Sequence, residues 1–304
     1  MNPSAISNQE VVLPELKEKQ IRLFIKREDT IHPFVSGNKY RKLKYNLKEA
    51  IKKEFDTLLT FGGAYSNHIA ATAFAGKEAG LKTIGVIRGE ELKDKWRENP
   101  TLKLAQEHGM RLHFVSRESY RDKGTHDFVS GLKETFGPFY LIPEGGTNTL
   151  AVKGCEEILT ESDQYFDFIC CCVGTGGTIA GLINASHSHQ TVLGFPALKG
   201  DFLKEDIRKF VQNDRWRLLS EYHFGGYAKV DKSLIAFINA FKKETGIPLD
   251  AVYTGKMVFG IFDLIKKDTF KKGIQILAIH TGGLQGIKGM NLTLKRRNLP
   301  LLDV

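Results

Sequence analysis

Residues 57–87, TLLTFGGAYSNHIAATAFAGKEAGLKTIGVI, show a strand–helix–strand pattern. An apolar strand at 58–61 runs into two glycines, a helix is expected over 67–79, and a second apolar strand follows at 83–87. Continuous apolar runs are typical of strands that are buried on both faces, and two such strands joined by a helix form a parallel βαβ unit. This stretch therefore predicts a parallel sheet covered by helices.

The same alternation continues on both sides of this unit. After it, the sequence predicts two helices and two strands, at 101–108, 111–115, 127–134 and 139–142. Further strands are predicted at 21–25, 168–173, 192–195, 251–253 and 274–279. We expect an α/β protein with two open parallel-sheet domains and a ligand cleft at the carboxyl ends of the strands. The smaller domain, residues 41–152, is predicted to be inserted into a larger one formed by 1–40 and 153–304.

Composition limits the classes of partner and site. The chain has 304 residues, 41% of them hydrophobic, and no apolar run long enough to cross a membrane, so we expect a cytoplasmic protein without a membrane partner. Its net charge of +9 is spread through helices that also carry acids, which predicts no nucleic-acid partner. Three consecutive cysteines fall in the predicted strand 168–173, where side chains alternate between faces, so no metal site is predicted.

A glycine-rich turn follows the strand at 168–173. It comprises Gly174, Thr175, Gly176, Gly177 and Thr178, and an apolar helix comes next. Backbone N–H groups at a helix N-terminus bind phosphate, and threonine hydroxyls add to them. The turn lacks the third glycine of a dinucleotide-binding motif. It also lacks the Gly-Lys-Ser/Thr sequence of a loop that binds nucleoside triphosphates. The turn therefore favours a single phosphate, and the alternative is a tight turn without a ligand.

Two more glycine-containing turns follow predicted strands. In the first, Ser66, Asn67 and His68 come after two glycines and form a candidate cradle for a substrate carboxylate. The alternative is that Ser66 or Asn67 only caps the next helix. The other turn, at 280–283, contains Thr281.

Lys39 stands at the junction of a Gly-Asn turn and an amphipathic helix. The positive end of a helix disfavours a cation there and lowers the pKa of the amine, which suits attack on a carbonyl group. The alternative is an ordinary solvated lysine. One such lysine, three glycine-rich turns and no metal-binding pattern together predict an organic phosphate cofactor.

These segments also carry a family resemblance, through their order and spacing over nearly the whole chain. They read KRED (26–29), GNKYRKL (37–43), GGAYSNH (62–68), EGGTN (144–148), GTGGT (174–178), YTGK (253–256) and HTGG (280–283). The chain resembles the pyridoxal-phosphate enzymes of the tryptophan-synthase-β fold group, also called fold type II. Within that group it is similar to the family of 1-aminocyclopropane-1-carboxylate (ACC) deaminase and D-cysteine desulfhydrase. The resemblance implies pyridoxal 5'-phosphate in the interdomain cleft, a small amino-acid substrate and a homodimer.

The resemblance also implies the role of each cofactor-binding residue. Lys39 matches the lysine to which the cofactor is attached, and residues 174–178 match its phosphate cup. Asn67 matches the residue that binds the ring hydroxyl. Thr281 occupies the place where related enzymes put a hydroxyl against the pyridine nitrogen, and such a neutral partner favours elimination.

Substrate-binding and catalytic roles follow in the same way. The resemblance implies that Ser66, Asn67 and His68 bind the substrate carboxylate, with Tyr227, Tyr253 and Thr254 as further substrate-binding residues. Lys39, Ser66 and Tyr253 are the implied catalytic residues.

Two departures from the family pattern bear on the substrate. Members that open the cyclopropane ring carry an acid directly after the tyrosine matched by Tyr253, and an apolar residue at the position of Thr281; here Thr254 and Thr281 occupy these places. We therefore expect a D-cysteine desulfhydrase-like lyase that converts a D-amino acid to pyruvate, ammonia and hydrogen sulfide. The alternatives are ACC deamination, with Ser66 and Tyr253 helping to open the ring, and a non-catalytic binder of a phosphate ligand or nucleic acid.

Overall fold

The chain forms two β-sheets, described by a computed structural model that covers residues 3–200 and 202–303. A six-stranded sheet has the order β1-β2-β10-β7-β8-β9, and a four-stranded sheet has the order β5-β4-β3-β6. The strands are β1 (Asn8–Val11), β2 (Arg22–Lys26), β3 (Thr57–Gly62), β4 (Lys82–Arg88), β5 (Met110–Val115), β6 (Tyr140–Ile142), β7 (Phe168–Val173), β8 (Thr191–Pro196), β9 (Trp216–Leu218) and β10 (Gln275–Ile279).

Helices separate most of these strands along the chain. They are α1 (Pro14–Lys19), α2 (Asn38–Lys52), α3 (Asn67–Glu78), α4 (Pro100–Glu107), α5 (His126–Phe136), α6 (Thr149–Glu156), α7 (Gly177–Ala185), α8 (Phe202–Arg208), α9 (Lys232–Thr245), α10 (Thr254–Lys266) and α11 (Gly286–Arg296).

The unit over 57–87 folds as its sequence predicts. Every residue of β3 is buried, and β3 pairs in parallel with β4, from Thr57 opposite Lys82 to Gly62 opposite Ile87. Helix α3, which joins them, is buried along most of its length because it packs on the sheet. The prediction of two open parallel-sheet α/β domains is confirmed. The boundaries of the inserted domain, 41–152, stay a prediction.

The larger sheet departs from the predicted pattern at three places. Strand β1 pairs antiparallel with β2 at the edge, and neither it nor the short β9 was expected. The predicted strand at 251–253 is wrong, because these residues form a turn before α10. The carboxylate of Asp250 accepts hydrogen bonds from the backbone N–H groups of Val252 and Tyr253, at 2.8 and 2.9 Å, and this curls the chain into a helix start.

Both faces of the larger sheet are covered by apolar clusters. One cluster joins β2, β7 and β10 to helices α9 and α10, and the other joins the opposite face to α7. The turns after β3, β7 and β10 meet at one cavity, because the carboxyl ends of these strands point to it. Among the described residues, no helix is long and apolar enough to cross a membrane.

Candidate active site

A cavity of about 400 Å³ lies where the loops of the two sheets meet. Its walls contain most of the residues singled out in the sequence: Lys39, Ser66, Asn67, His68, Gly174, Thr175, Gly176, Thr178, Tyr227, Tyr253 and Thr281. Gly177 lies within the same loop, as the first residue of α7. Thr254 does not line the cavity.

Lys39 lies in the first turn of α2, as the sequence predicts. Gly37, which precedes the helix, has a φ of +62°, and a Cβ atom there would lie 2.0 Å from the carbonyl oxygen of Thr281, so only glycine allows this approach. The Lys39 amine donates a hydrogen bond to the carbonyl of Gly145 at 3.3 Å. Burial, and after it the charge of Lys42, lowers the pKa of Lys39 to about 7. The expected lowering of the Lys39 pKa is therefore present, and burial is its largest cause.

Lys42 is a second cavity lysine, to which the sequence reasoning gave no role. It is buried, and its amine donates to the Gly145 carbonyl at 3.0 Å, to Thr147 Oγ1 at 2.9 Å and to Thr175 Oγ1 at 3.3 Å. Burial lowers the pKa of Lys42 as well. The sequence does indicate that Lys42 lies near Lys39, because residues three apart on a helix share a face.

The glycine-rich loop after β7 has the geometry of an anion site. Gly176 has a φ of +82° and is the N-cap of α7, whose buried N-terminal turn lies at the cavity with its free N–H groups. The Thr178 hydroxyl accepts a hydrogen bond from Asn38 Nδ2 at 2.8 Å, and the Lys42 amine donates to Thr175 Oγ1 of the same loop at 3.3 Å. Amide groups, a hydroxyl and an amine around one point match the oxygens of a phosphate.

The turn after β3 places three polar side chains at the cavity. Ser66 is the N-cap of α3, where its hydroxyl accepts from the Ile69 N–H at 3.4 Å, so its capping role is real. Asn67 Oδ1 accepts from Gln285 Nε2 at 3.1 Å. His68 Nε2 is 2.8 Å from Thr60 Oγ1, while its buried Nδ1 has no partner among the described residues.

His68 is an uncharged imidazole in this site. Burial, followed by the charges of Lys39 and Lys42, holds its pKa well below the usual value. A neutral ring with one unpartnered nitrogen can accept or donate a single hydrogen bond to a bound molecule.

Tyr253 and Tyr227 form a pair in the wall of the cavity. Their ring centroids are 6.2 Å apart in an edge-to-face arrangement. Burial raises the pKa of both phenols, so both stay protonated at neutral pH. The absence of a side chain at Gly174 allows the Tyr253 ring to lie against the glycine-rich loop.

Thr281 lies in the cavity wall, whereas Thr254 does not. The Thr281 hydroxyl is 3.0 Å from Cys172 Sγ, which lines the cavity too. Thr254 is fully buried, and its hydroxyl donates to Asp250 Oδ1 at 2.8 Å. The structure therefore does not bring Thr254 to the cavity with the other residues, since its side chain is hydrogen-bonded to Asp250 behind the Tyr253 turn, and its role in substrate binding stays a prediction.

Arg88 and Glu144 are two further charged residues of the cavity wall to which the sequence analysis gave no role. Arg88, at the end of β4, lies over the ring of Tyr120 at 5.8 Å. Glu144 accepts a hydrogen bond from the Tyr120 hydroxyl at 2.9 Å and pairs with Lys123 at 3.3 Å. Their place in the wall follows from the packing of the smaller sheet, for which local sequence gives no signal.

Comparison with known proteins agrees with this geometry. Residues 8–282 match the family described as pyridoxal-phosphate dependent enzymes. The chain belongs to this family. Within it lies a bifunctional mitochondrial D-cysteine desulfhydrase/ACC deaminase of Arabidopsis thaliana, 33% identical over 87% of this chain and 73% of that protein. A D-cysteine desulfhydrase of Serratia proteamaculans is 27% identical over 86% of both proteins' lengths.

A solved structure is similar over almost the whole chain. It is described as an ACC deaminase homologue, has a TM-score of 0.82 and 30% sequence identity, and the match covers 96% of this chain and 94% of that one. This pyridoxal-phosphate enzyme therefore falls in the ACC deaminase/D-cysteine desulfhydrase branch. The names of its relatives cover both activities, so they do not fix the substrate.

The residues of the cavity fit pyridoxal phosphate. The glycine-rich helix start and Lys42 suit its phosphate, and the amine of Lys39, with a pKa near 7, suits its aldehyde. The unpartnered Nδ1 of the buried His68 also indicates that this wall is completed by a bound polar molecule.

Proposed function

We propose that this enzyme removes the β-substituent from a D-amino acid, with D-cysteine as the substrate that gives hydrogen sulfide. The observation that carries the proposal is the environment of Thr281. Thr281 lines the cavity, and its hydroxyl lies beside the Cys172 thiol. Related enzymes place a hydroxyl at this position against the pyridine nitrogen. A neutral hydroxyl leaves that nitrogen largely unprotonated, which supports elimination with a good leaving group.

The protein's own groups supply binding and proton transfer. When bound, pyridoxal phosphate supplies the aldehyde that joins the substrate amine and a conjugated ring that accepts the electron pair of the α-carbon. Ser66 and Asn67, at the N-terminal turn of α3, offer N–H and side-chain donors to the substrate carboxylate. The Lys39 amine, with a pKa near 7, takes the α-proton at neutral pH.

The proposed reaction consumes one molecule of water. Breaking the Cα–H bond leaves an electron pair that forms the Cα–Cβ double bond and expels the β-sulfur as hydrosulfide. The released enamine takes up water and loses ammonia. D-cysteine and water thus become pyruvate, ammonia and hydrogen sulfide.

The reaction of ACC requires a different first step. Its α-carbon bears no hydrogen, so the reaction begins with cleavage of a carbon–carbon bond, which benefits from an acid and a stronger electron sink. The position that carries an acid in ring-opening members is Thr254 here, and its side chain is held behind the cavity wall by Asp250. This arrangement supports elimination over ring opening.

A substrate panel tests the proposal. The purified holoenzyme is assayed with D-cysteine, L-cysteine, D-serine and ACC for keto acid, ammonia and, for the cysteines, hydrogen sulfide. We expect kcat/KM for D-cysteine to exceed that for ACC by at least about tenfold. A higher kcat/KM for ACC would make ring opening the better assignment and would show that Thr281 does not set specificity.

A further inference from the structure

The loop that carries Tyr227 has an unfavourable backbone. This loop, residues 223–229, contains four residues with positive φ, namely Phe224 (54°), Gly225 (91°), Gly226 (119°) and Ala228 (55°). Residues with a Cβ atom rarely adopt such angles, so the loop needs contacts from outside to hold its shape. Tyr227 is 44% exposed at the cavity mouth and contacts the ring of Tyr253 there.

Lys256 provides these outside contacts. It is only 1% exposed, and its amine donates to the carbonyl oxygens of His223, at 2.9 Å, and Gly226, at 2.8 Å. Both acceptors are backbone carbonyls of the Tyr227 loop rather than carboxylates. A buried lysine is costly unless its hydrogen bonds are needed, and here they tie the start of the loop, at His223, to its middle, at Gly226.

Lys256 also lies close to Tyr253 along helix α10. Tyr253 is the N-cap of α10 and Lys256 lies in its first turn, three residues further on. The same helical turn therefore carries one tyrosine of the pair and fixes the loop that carries the other. This turn is itself anchored, because Asp250 accepts hydrogen bonds from the N–H groups of Tyr253 and Thr254.

We propose that Lys256 is a positioning residue that keeps the Tyr227 hydroxyl beside Tyr253 at the substrate side of the cavity. Its ammonium group holds the 223–229 loop closed at His223 and Gly226 and does not touch the substrate itself. The proposal rests on the proposed placement of the tyrosine pair against the substrate, but not on which amino acid is turned over.

The test is a double-mutant cycle on the holoenzyme with its best substrate. Lys256→Met removes the charge and the donors at nearly constant length, and Tyr227→Phe removes only the hydroxyl. We expect each single variant to lower kcat/KM by about tenfold, and the double variant to fall no more than about twofold below Tyr227→Phe alone, since both act on one contact. Hydrogen exchange of peptides covering 223–229 should be faster in Lys256→Met, with peptides covering β7 unchanged.

Lys26→Met is the matched control. Lys26 is equally buried, at 4% exposure, but pairs with Asp163 at 2.6 Å and does not line the cavity. Its substitution should combine with Tyr227→Phe multiplicatively and leave the 223–229 peptides unchanged. If Lys256→Met does not fold, Lys256→Gln, which keeps a neutral donor, replaces it in the cycle.

Two results would overturn the inference in distinguishable ways. Multiplicative losses in the Lys256/Tyr227 cycle, with Tyr227→Phe itself impaired, would remove the role of Lys256 but leave the tyrosine pair in place. An unimpaired Tyr227→Phe enzyme would instead remove the proposed role of Tyr227, and with it the reason to position it.

Discussion

Lys39 and Lys42 share one cavity but differ in how their amines are used. Lys42 donates to three acceptors, all within 3.3 Å, so its three N–H bonds are occupied. Within the part of the chain that the structure describes, Lys39 has a single acceptor, the Gly145 carbonyl at 3.3 Å. A lysine that is not saturated by hydrogen bonds loses less when it deprotonates and reacts, so the geometry favours Lys39 as the nucleophile.

The pKa of Lys39 is directly measurable in the cofactor-free protein. Burial and the Lys42 charge both disfavour the ammonium form, so the pKa falls and the reactive amine predominates above about pH 7. Competitive acetylation with peptide mapping should show half-maximal labelling of Lys39 near pH 7, against about 10.4 for an ordinary lysine.

The control for this titration is Lys42→Met. Removing the Lys42 charge should raise the pKa of Lys39, so the midpoint of its labelling should move to higher pH. A midpoint near that of an ordinary lysine in the unmodified protein would contradict the assigned environment.

Individual residues were predictable from the sequence where a local motif stated their surroundings. The Gly-Asn turn before α2 and the glycine run after β7 located Lys39 and residues 174–178 correctly at the cavity. The places of Arg88 and Glu144 in the cavity wall were not predictable, because neither position carries a local mark of what lies opposite it in space.

The start of α10 is the element on which the substrate argument depends. Asp250 is buried, and its two carboxylate oxygens accept hydrogen bonds from three consecutive N–H groups and from the Thr254 hydroxyl. This capping fixes the backbone that presents Tyr253 to the cavity. It also explains why an apolar Ala-Val-Tyr run, which favours a strand by pattern, ends as a turn.

Substitutions at Thr254 test this capping arrangement. Thr254→Glu would bury a second carboxylate beside Asp250 and should lower the free energy of unfolding by about 4 kcal/mol. Thr254→Ser keeps the hydroxyl and loses one methyl group, at a cost of about 1 kcal/mol. Urea denaturation measures both, and equal losses for the two variants would contradict the placement of Thr254.

At the scale of the whole molecule, one buried ion pair spans the proposed domain boundary. Glu28 is fully buried and accepts two hydrogen bonds from Arg41, from Nε at 2.9 Å and from Nη2 at 2.8 Å. Glu28 follows β2 of the six-stranded sheet, whereas Arg41 lies on α2, which packs against the smaller sheet. The pair therefore fixes α2, and Lys39 with it, relative to the larger sheet.

Loss of this pair should destabilise the protein strongly. Arg41→Met leaves the buried Glu28 carboxylate without a counter-ion and should lower the free energy of unfolding by about 3–5 kcal/mol. Lys44→Met breaks only a partly exposed pair with Glu157 and should cost about 1 kcal/mol or less. Thermal or urea denaturation compares them, and a small effect of Arg41→Met would argue against a structural role for the pair.

The alternation of strands and helices predicted two parallel sheets, because the apolar periodicity records burial on both faces. It did not predict the antiparallel β1, whose four residues are too short and too polar for a periodic signal. Contacts between the two predicted domains, such as the Glu28–Arg41 ion pair, depend on the packing of segments that are distant in the sequence. Local sequence patterns do not predict such contacts.

The lysine that carries the cofactor can be identified by chemical reduction of the holoenzyme. The holoenzyme is reduced with borohydride, which makes the lysine–cofactor linkage permanent, and the pyridoxyl-bearing peptide is mapped by mass spectrometry. Two cavity lysines three residues apart make the outcome discriminating. We expect the pyridoxyl group on Lys39 and none on Lys42, whereas modification of Lys42 or of any other lysine would contradict the assignment of Lys39.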